Sequence, residues 1–157
     1  MTAQDELLYE RELQIAASPE TIFPFLIEPE KLTQWMGIDA TLEARPRGVF
    51  RVEVKPETIA RGEFIQVEPN SRVVFTWGWE QGGSAQLPPG STRVEITLTP
   101  NERGTTLRFV HSGFSSEEER DGHGRGWDLL LPRLVDVSEG RDPGPDPWAD
   151  AKADSVA

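Results

Sequence analysis

The sequence predicts an α+β fold: an antiparallel sheet of about six to seven strands covered by a long C-terminal helix, with two short helices after the first strand. Three observations predict it. An alternating N-terminal stretch runs into a proline-punctuated helical segment, residues 39–111 keep a strand-like period almost throughout, and the last periodic segment switches to helical spacing. A sheet with one apolar face needs a cover, and that last segment supplies it.

Residues Tyr9 to Ala17 alternate, placing Leu13 and Ile15 on one face, and Ser18-Pro19-Glu20 then provides an N-cap followed by proline at the first helical position. The helix from Pro19 to Ile27 offers Ile22, Phe23, Leu26 and Ile27 to a core, but Pro24 should kink or shorten it. Pro29 opens a second short helix that ends near Trp35-Met36-Gly37. Between Asp39 and His111 about six strands are expected, separated by Arg47-Gly48, Pro69-Asn70, Pro88-Pro89-Gly90 and Asn101-Glu102-Arg103-Gly104.

Phe50, Val52 and Val54, then Val73, Phe75, Trp77 and Trp79, then Val94, Ile96 and Leu98, then Leu107, Phe109 and His111 share the inward face. The other face carries Arg51, Glu53, Arg72, Thr76, Arg93, Glu95 and Arg108. In the final helix Trp127, Leu130, Leu131, Leu134 and Val135 form the apolar stripe. Pro132 interrupts that stripe and Gly122, Gly124 and Gly126 weaken its front half, which predicts a helix that bends or begins late. The domain is placed at residues 8–138. An acidic, proline-rich tail follows at 139–157, expected to be flexible, with Trp148 as a lone anchor.

Composition narrows the function classes. The 157 residues amount to about one domain. A net charge of −11 is the wrong sign for neutralising phosphates, so nucleic acid and anionic membrane are poor partners. With no cysteine, disulfides, thiolate metal sites and cysteine nucleophiles drop out, and His111 and His123 are too few for a histidine-rich metal site. No cofactor or metal is expected. The acidic N-terminus lacks the pattern of an export signal and no apolar run is long enough to span a membrane, which makes a cytoplasmic location the expectation. Gly82-Gly83-Ser84 and Gly104 do not lie between a strand and a helix and read as turns rather than phosphate loops. No nucleophile-elbow text is present.

Short stretches of this text match a known family. They are Ala17-Ser18-Pro19-Glu20-Thr21-Ile22-Phe23, Leu32-Thr33-Gln34-Trp35, Gly62-Glu63-Phe64-Ile65-Gln66-Val67-Glu68-Pro69, Arg72-Val73-Val74-Phe75-Thr76-Trp77, Gly104-Thr105-Thr106-Leu107, His111-Ser112-Gly113-Phe114 and His123-Gly124-Arg125-Gly126-Trp127. In this order they resemble the SRPBCC (START-like) superfamily, and within it the Aha-type branch named for the activator of a heat-shock chaperone ATPase. The resemblance implies a helix-grip fold, a curved antiparallel sheet wrapped on the long C-terminal helix, with an apolar cavity between them that in many relatives holds a lipid, sterol, polyketide or aromatic ligand. It does not imply one reaction.

The residues expected to line such a cavity are Trp35, Phe50, Val52, Phe64, Phe75, Trp77, Trp79, Val94, Ile96, Phe109, His111, Trp127 and Leu131, although the same side chains would fill a closed core equally well. His111 is either the polar handle of a ligand or a satisfied buried histidine. His123, among glycines and charges, is expected exposed and without a specific role. Glu117, Glu118 and Glu119 read as a solvated helix start. Three functions stay open: non-enzymatic binding of a small hydrophobic ligand, a co-chaperone-like module that docks on a chaperone or other protein, and a cyclase- or dehydratase-type enzyme using His111. No catalytic pair is visible, because no carboxylate is identifiable beside His111.

Overall fold

The computed structural model describes residues 7–83 and 85–148. Strand β1 (Leu7–Ile15) leads into three single-turn helices, α1 (Pro19–Ile22), α2 (Pro24–Ile27) and α3 (Pro29–Leu32). Seven strands follow: β2 (Asp39–Leu42), β3 (Val49–Lys55), β4 (Thr58–Glu68), β5 (Arg72–Trp77), β6 (Trp79–Gln81), β7 (Thr92–Asn101) and β8 (Gly104–Phe114). Helix α4 (Glu117–Ser138) closes the domain. This is the helix-grip arrangement.

The prolines cut the first helical segment more finely than its apolar spacing predicts. Each of α1, α2 and α3 has proline in its opening turn, and the chain re-starts at every one, so one expected helix over 19–27 becomes two. Ser18 caps α1 by accepting a hydrogen bond from the Thr21 N–H at 3.2 Å.

All the strands are antiparallel, in the order β1-β8-β7-β5-β4-β3-β2, with β6 paired to β4 off this path. The strand count rises to eight because β5 and β6 part at Gly78. There the backbone runs so close to Pro88 that a Cβ would lie 1.7 Å from the Pro88 carbonyl oxygen, and only glycine fits. The break lets β4 pair with β5 through Phe64 and Val67 and with β6 through Ile59 and Ala60.

The inward face holds a dense core. Phe50 and Phe75 stack with centroids 3.9 Å apart, Phe64 meets Phe50 edge-on at 5.8 Å, and Phe109 lies 4.6 Å from the Trp127 ring of α4. On the outward face Arg72 meets Glu95 at 2.5 Å, Arg108 meets Glu10 at 2.6 Å, and Glu80 bridges Arg51 and Arg61 at 2.8 and 3.2 Å. The Arg51 hydrogen bond, helped by Arg61, holds the Glu80 carboxyl down at about 2.

Helix α4 runs for 22 residues from Glu117, through the glycines and Pro132, rather than starting late. Ser116 accepts from the Glu119 N–H at 3.1 Å, and three glutamates in the first turn face the positive end of the dipole. Pro132 sits on the exposed side, as does Asp128 one turn earlier, so the carbonyl it cannot satisfy stays near water. Gly124 is buried against β1: a Cβ there would meet the Tyr9 ring at 2.8 Å, so glycine allows the close approach of helix and strand. The Tyr9 hydroxyl then donates to Asp128 Oδ1 at 2.6 Å, and burial together with this carboxylate raises the phenol above its usual range. No helix among the described residues is long and apolar enough to cross a membrane.

The chain after α4 turns back on the domain. Glu139 Oε2 accepts the Ala16 N–H at 2.7 Å. The Arg133 guanidinium donates to the carbonyls of Pro143, Gly144 and Pro145 at 3.2, 3.1 and 2.8 Å, and its Nε donates to the Trp35 carbonyl at 3.1 Å. Residues 139–148 of the expected tail are thus fastened to the helix that precedes them. The remainder, 149–157, lies outside the described residues.

Candidate functional site

A half-open cleft of about 410 Å³ lies where the ends of β3, β5 and β6 face the N-terminal half of α4. Trp77, Trp79, Trp127 and Trp148 supply aromatic walls, and Val54, Leu129 and Leu130 add aliphatic surface. Gly122 and Gly126 face it one helical turn apart, and their lack of side chains leaves the space open. Lys55, Thr58, Glu119, His123 and Arg125 supply its polar groups.

The local order of the cleft comes from two histidines that accept indole protons. Trp127 Nε1 donates to His111 Nδ1 at 3.0 Å, and His111 Nε2 lies 2.8 Å from the Thr92 hydroxyl, which donates onward to the Trp77 carbonyl at 2.7 Å. That chain requires neutral His111 with its proton on Nε2. Trp79 Nε1 donates to His123 Nε2 at 3.0 Å, and His123 Nδ1 reaches the Glu119 carbonyl at 2.9 Å, which requires the opposite neutral tautomer. The two imidazoles meet edge to face, 5.4 Å apart. Burial pushes the pKa of His111 well below the ordinary value of 6.5, and the neighbouring His123 adds to this. Burial also lowers His123, against the opposing pull of the Glu119 carbonyl and carboxylate.

Of the side chains expected to line a cavity, Trp77, Trp79 and Trp127 border the cleft. Trp35, Phe50, Val52, Phe64, Phe75, Val94, Ile96, Phe109, His111 and Leu131 are buried outside its lining. The reason is volume: stacked and edge-on rings fill the middle of the sheet, and the cleft opens beyond them, beside Trp77 and Trp79 where β5 gives way to β6. Trp35 is occupied elsewhere, donating to the Phe25 carbonyl at 2.9 Å.

His123 departs from its expected exposure: it is half-buried and on the cleft. Its spacing four residues before Trp127 carried the signal, since both then share a helix face. Gly122 and Gly126 had no such signal, because a glycine adds nothing to an apolar stripe, and Leu129 falls outside the stripe of Trp127, Leu130, Leu131, Leu134 and Val135. Trp148 packs at the rim, with Lys55 Nζ 5.8 Å from its ring centroid. Among the described residues no group of three or more carboxylate, imidazole or thiol side chains is placed to hold a metal ion.

Against known proteins, residues 16–139 match the family model described as Activator of Hsp90 ATPase homolog 1-like protein. The AHSA1-like protein of Rhizobium etli is 42% identical, with 92% of this chain and 89% of that one covered and a TM-score of 0.73. The Aha1 dimer of Colwellia psychrerythraea is similar in fold at 21% identity, over 85% of this chain and 97% of that one, with a TM-score of 0.71. DynU16, from the dynemicin biosynthetic locus, has a TM-score of 0.74 at 21% identity, covering 88% of this chain and 50% of that one. No curated protein matches the sequence.

Proposed function

We propose, from the premise that this chain belongs to the Activator of Hsp90 ATPase homolog 1-like family, that it binds a small hydrophobic ligand, lipid-like or aromatic and polyketide-like, in the cleft between sheet and C-terminal helix. The observation that carries this reading is the cleft itself: about 410 Å³, walled by indoles and bordered by a few polar groups. That is the size and chemistry of small-molecule sites, which span roughly 300–1,000 Å³. DynU16, a protein of the same fold, comes from a biosynthetic locus, a setting in keeping with a small-molecule cleft. Both nitrogens of His111 are engaged inside the protein, so the imidazole a cyclase or dehydratase would use has no free nitrogen to offer.

Intrinsic tryptophan fluorescence, titrated with fatty acids, flavonoids and fused-ring aromatics, tests the proposal. Gly126→Leu is the blocking variant: a Cβ at Gly126 meets the Trp148 ring at 3.9 Å, an ordinary contact, and the rest of the side chain enters the cleft. Leucine is also the better helix former. Saturable quenching should weaken by about tenfold or more in the variant, a loss of about 1.4 kcal/mol of binding, with the far-ultraviolet spectrum unchanged. Quenching of equal strength in both proteins would remove the cleft as the site.

The family description favours a second reading, a co-chaperone-like module that docks on a chaperone ATPase. It predicts no response across the ligand panel, together with retention of the chain on an immobilised chaperone of the heat-shock class.

A further inference from the structure

Helix α4 turns a second, short stripe toward the cleft. Gly122, Arg125, Gly126 and Leu129 recur at i, i+3, i+4 and i+7, so they share one helix face, and all four border the space. Two glycines leave that face bare, and the residue between them is a cation. Arg125 Nη2 lies 3.7 Å from the point where a Gly122 Cβ would sit, which lays the guanidinium along the bare strip.

A second cation reaches the cleft from the sheet. Lys55 ends β3 and Thr58 opens β4, and the two stand opposite each other in the register of that hairpin, with both side chains on the cleft. Lys55 Nζ lies 5.8 Å from the centroid of the Trp148 ring, and the edge of that ring is 3.9 Å from the Gly126 Cβ position. Lysine and arginine thus flank the same bare strip.

What these groups lack is a partner. On the outward face Arg51, Arg61, Arg72 and Arg108 are each held by a glutamate, and with 27 acidic residues carboxylates are plentiful. Among the described residues, Lys55 and Arg125 make no ion pair and no side-chain hydrogen bond, and the Thr58 hydroxyl makes no hydrogen bond. His123 is occupied at both nitrogens, and Glu119 is engaged within the chain. With His123 neutral, the lining carries one net positive charge on a chain of net charge −11.

We propose that the ligand of the cleft is a hydrophobic monocarboxylate, its anion held between Lys55 and Arg125 beside Thr58 and its apolar body against the indoles. This rests on the small-ligand reading above and narrows it. Lysine and arginine only donate and a carboxylate only accepts, so the two sides match. One surplus positive charge suits one negative charge, whereas a phosphate monoester would bring about two. The field of an acidic chain repels anions, so a cleft without these cations would disfavour an acid.

Two probe pairs test the proposal by calorimetric titration: 2-naphthoate with 2-naphthamide, and octanoate with octanamide. Within a pair the apolar body is the same and only the charge differs, and the tighter-binding acid tells an aromatic acid from a fatty acid. Wild-type protein should bind at least one acid about tenfold tighter than its amide, the scale of two half-screened ion pairs. Raising salt from about 0.05 to about 0.5 M should weaken the acids alone. Lys55→Gln and Arg125→Gln, at half-buried and exposed positions that spare the core, should each reduce the preference about threefold. In the double variant the acid should bind no tighter than its amide.

Equal binding of acid and amide by wild type in both pairs would overturn the assignment and leave the cleft reading standing. A preference for the acid that survives in the folded double variant would overturn it too. Binding of no probe would also overturn it, and the fluorescence panel then separates the two readings: quenching by neutral aromatics keeps the cleft, and no quenching removes both.

Discussion

Each histidine accepts an indole proton, and that contact dictates its charge. Protonating His111 would set two donors against each other at Trp127, and protonating His123 would do the same at Trp79. Both pKa values lie below 6.5 in the fold, chiefly through burial, while the unfolded chain titrates near 6.5. The unfolded state therefore binds more protons as pH drops below 6.5, and stability falls with it, by up to about tenfold in the folding constant per pH unit and histidine. Urea midpoints taken from pH 7.5 to 5 should show that decline, and a flat profile would contradict neutral, buried imidazoles. Trp127→Phe removes the donor to His111 Nδ1 and should cost about 1–3 kcal/mol, read from the same urea curves. The inward direction of His111 was legible from strand alternation. Its indole partner was not, because no spacing rule links a strand residue to one on a distant helix.

Helix α4 separates two uses of glycine that look alike in the sequence. Gly124 sits against the Tyr9 ring, where a Cβ would come within 2.8 Å, whereas Gly122 is exposed, with only an Arg125 guanidinium nitrogen 3.7 Å from its Cβ position. Gly124→Ala should destabilise by about 1–3 kcal/mol through overpacking. Gly122→Ala should stabilise by about 1 kcal/mol through helix propensity. Thermal or urea unfolding of the two variants checks the contrast, and equal effects would contradict the packing of α4 on β1. The alternating strands were readable because burial repeats every second residue. The extra break at Gly78 was not, since it depends on Pro88 crossing close to the backbone.

Over the whole molecule, two features join distant parts of the chain. Arg133 ties the segment at Pro143 to Pro145 to the domain, which holds Trp148 at the rim of the cleft. A chain ending at residue 140 should lose that wall and bind an aromatic probe several-fold more weakly, while keeping its core; tighter binding would instead identify Trp148 as a plug. The second feature is Glu80 between Arg51 and Arg61, with its pKa lowered to about 2, first by the Arg51 hydrogen bond. A lowered carboxylate contributes stability above its unfolded value of 4.5 and loses it as pH falls toward 2. Acid should therefore weaken the fold in two stages, below 6.5 and again below 4.5, and Glu80→Gln should flatten the second.

Period and punctuation are local properties, so the chain text alone was enough to specify the helix-grip order of elements, the apolar inward face and the wet outward one. They say which side a residue faces and nothing about how completely the facing volume is filled. That depends on ring against ring across elements far apart in sequence: Phe50 on Phe75 closes the centre, while the gap beside Trp77 and Trp79 and the bare helix face at Gly122 and Gly126 leave the cleft. Whether an inward aromatic lines a cavity or fills a core was settled by three-dimensional packing, because burial looks the same from the sequence in both cases.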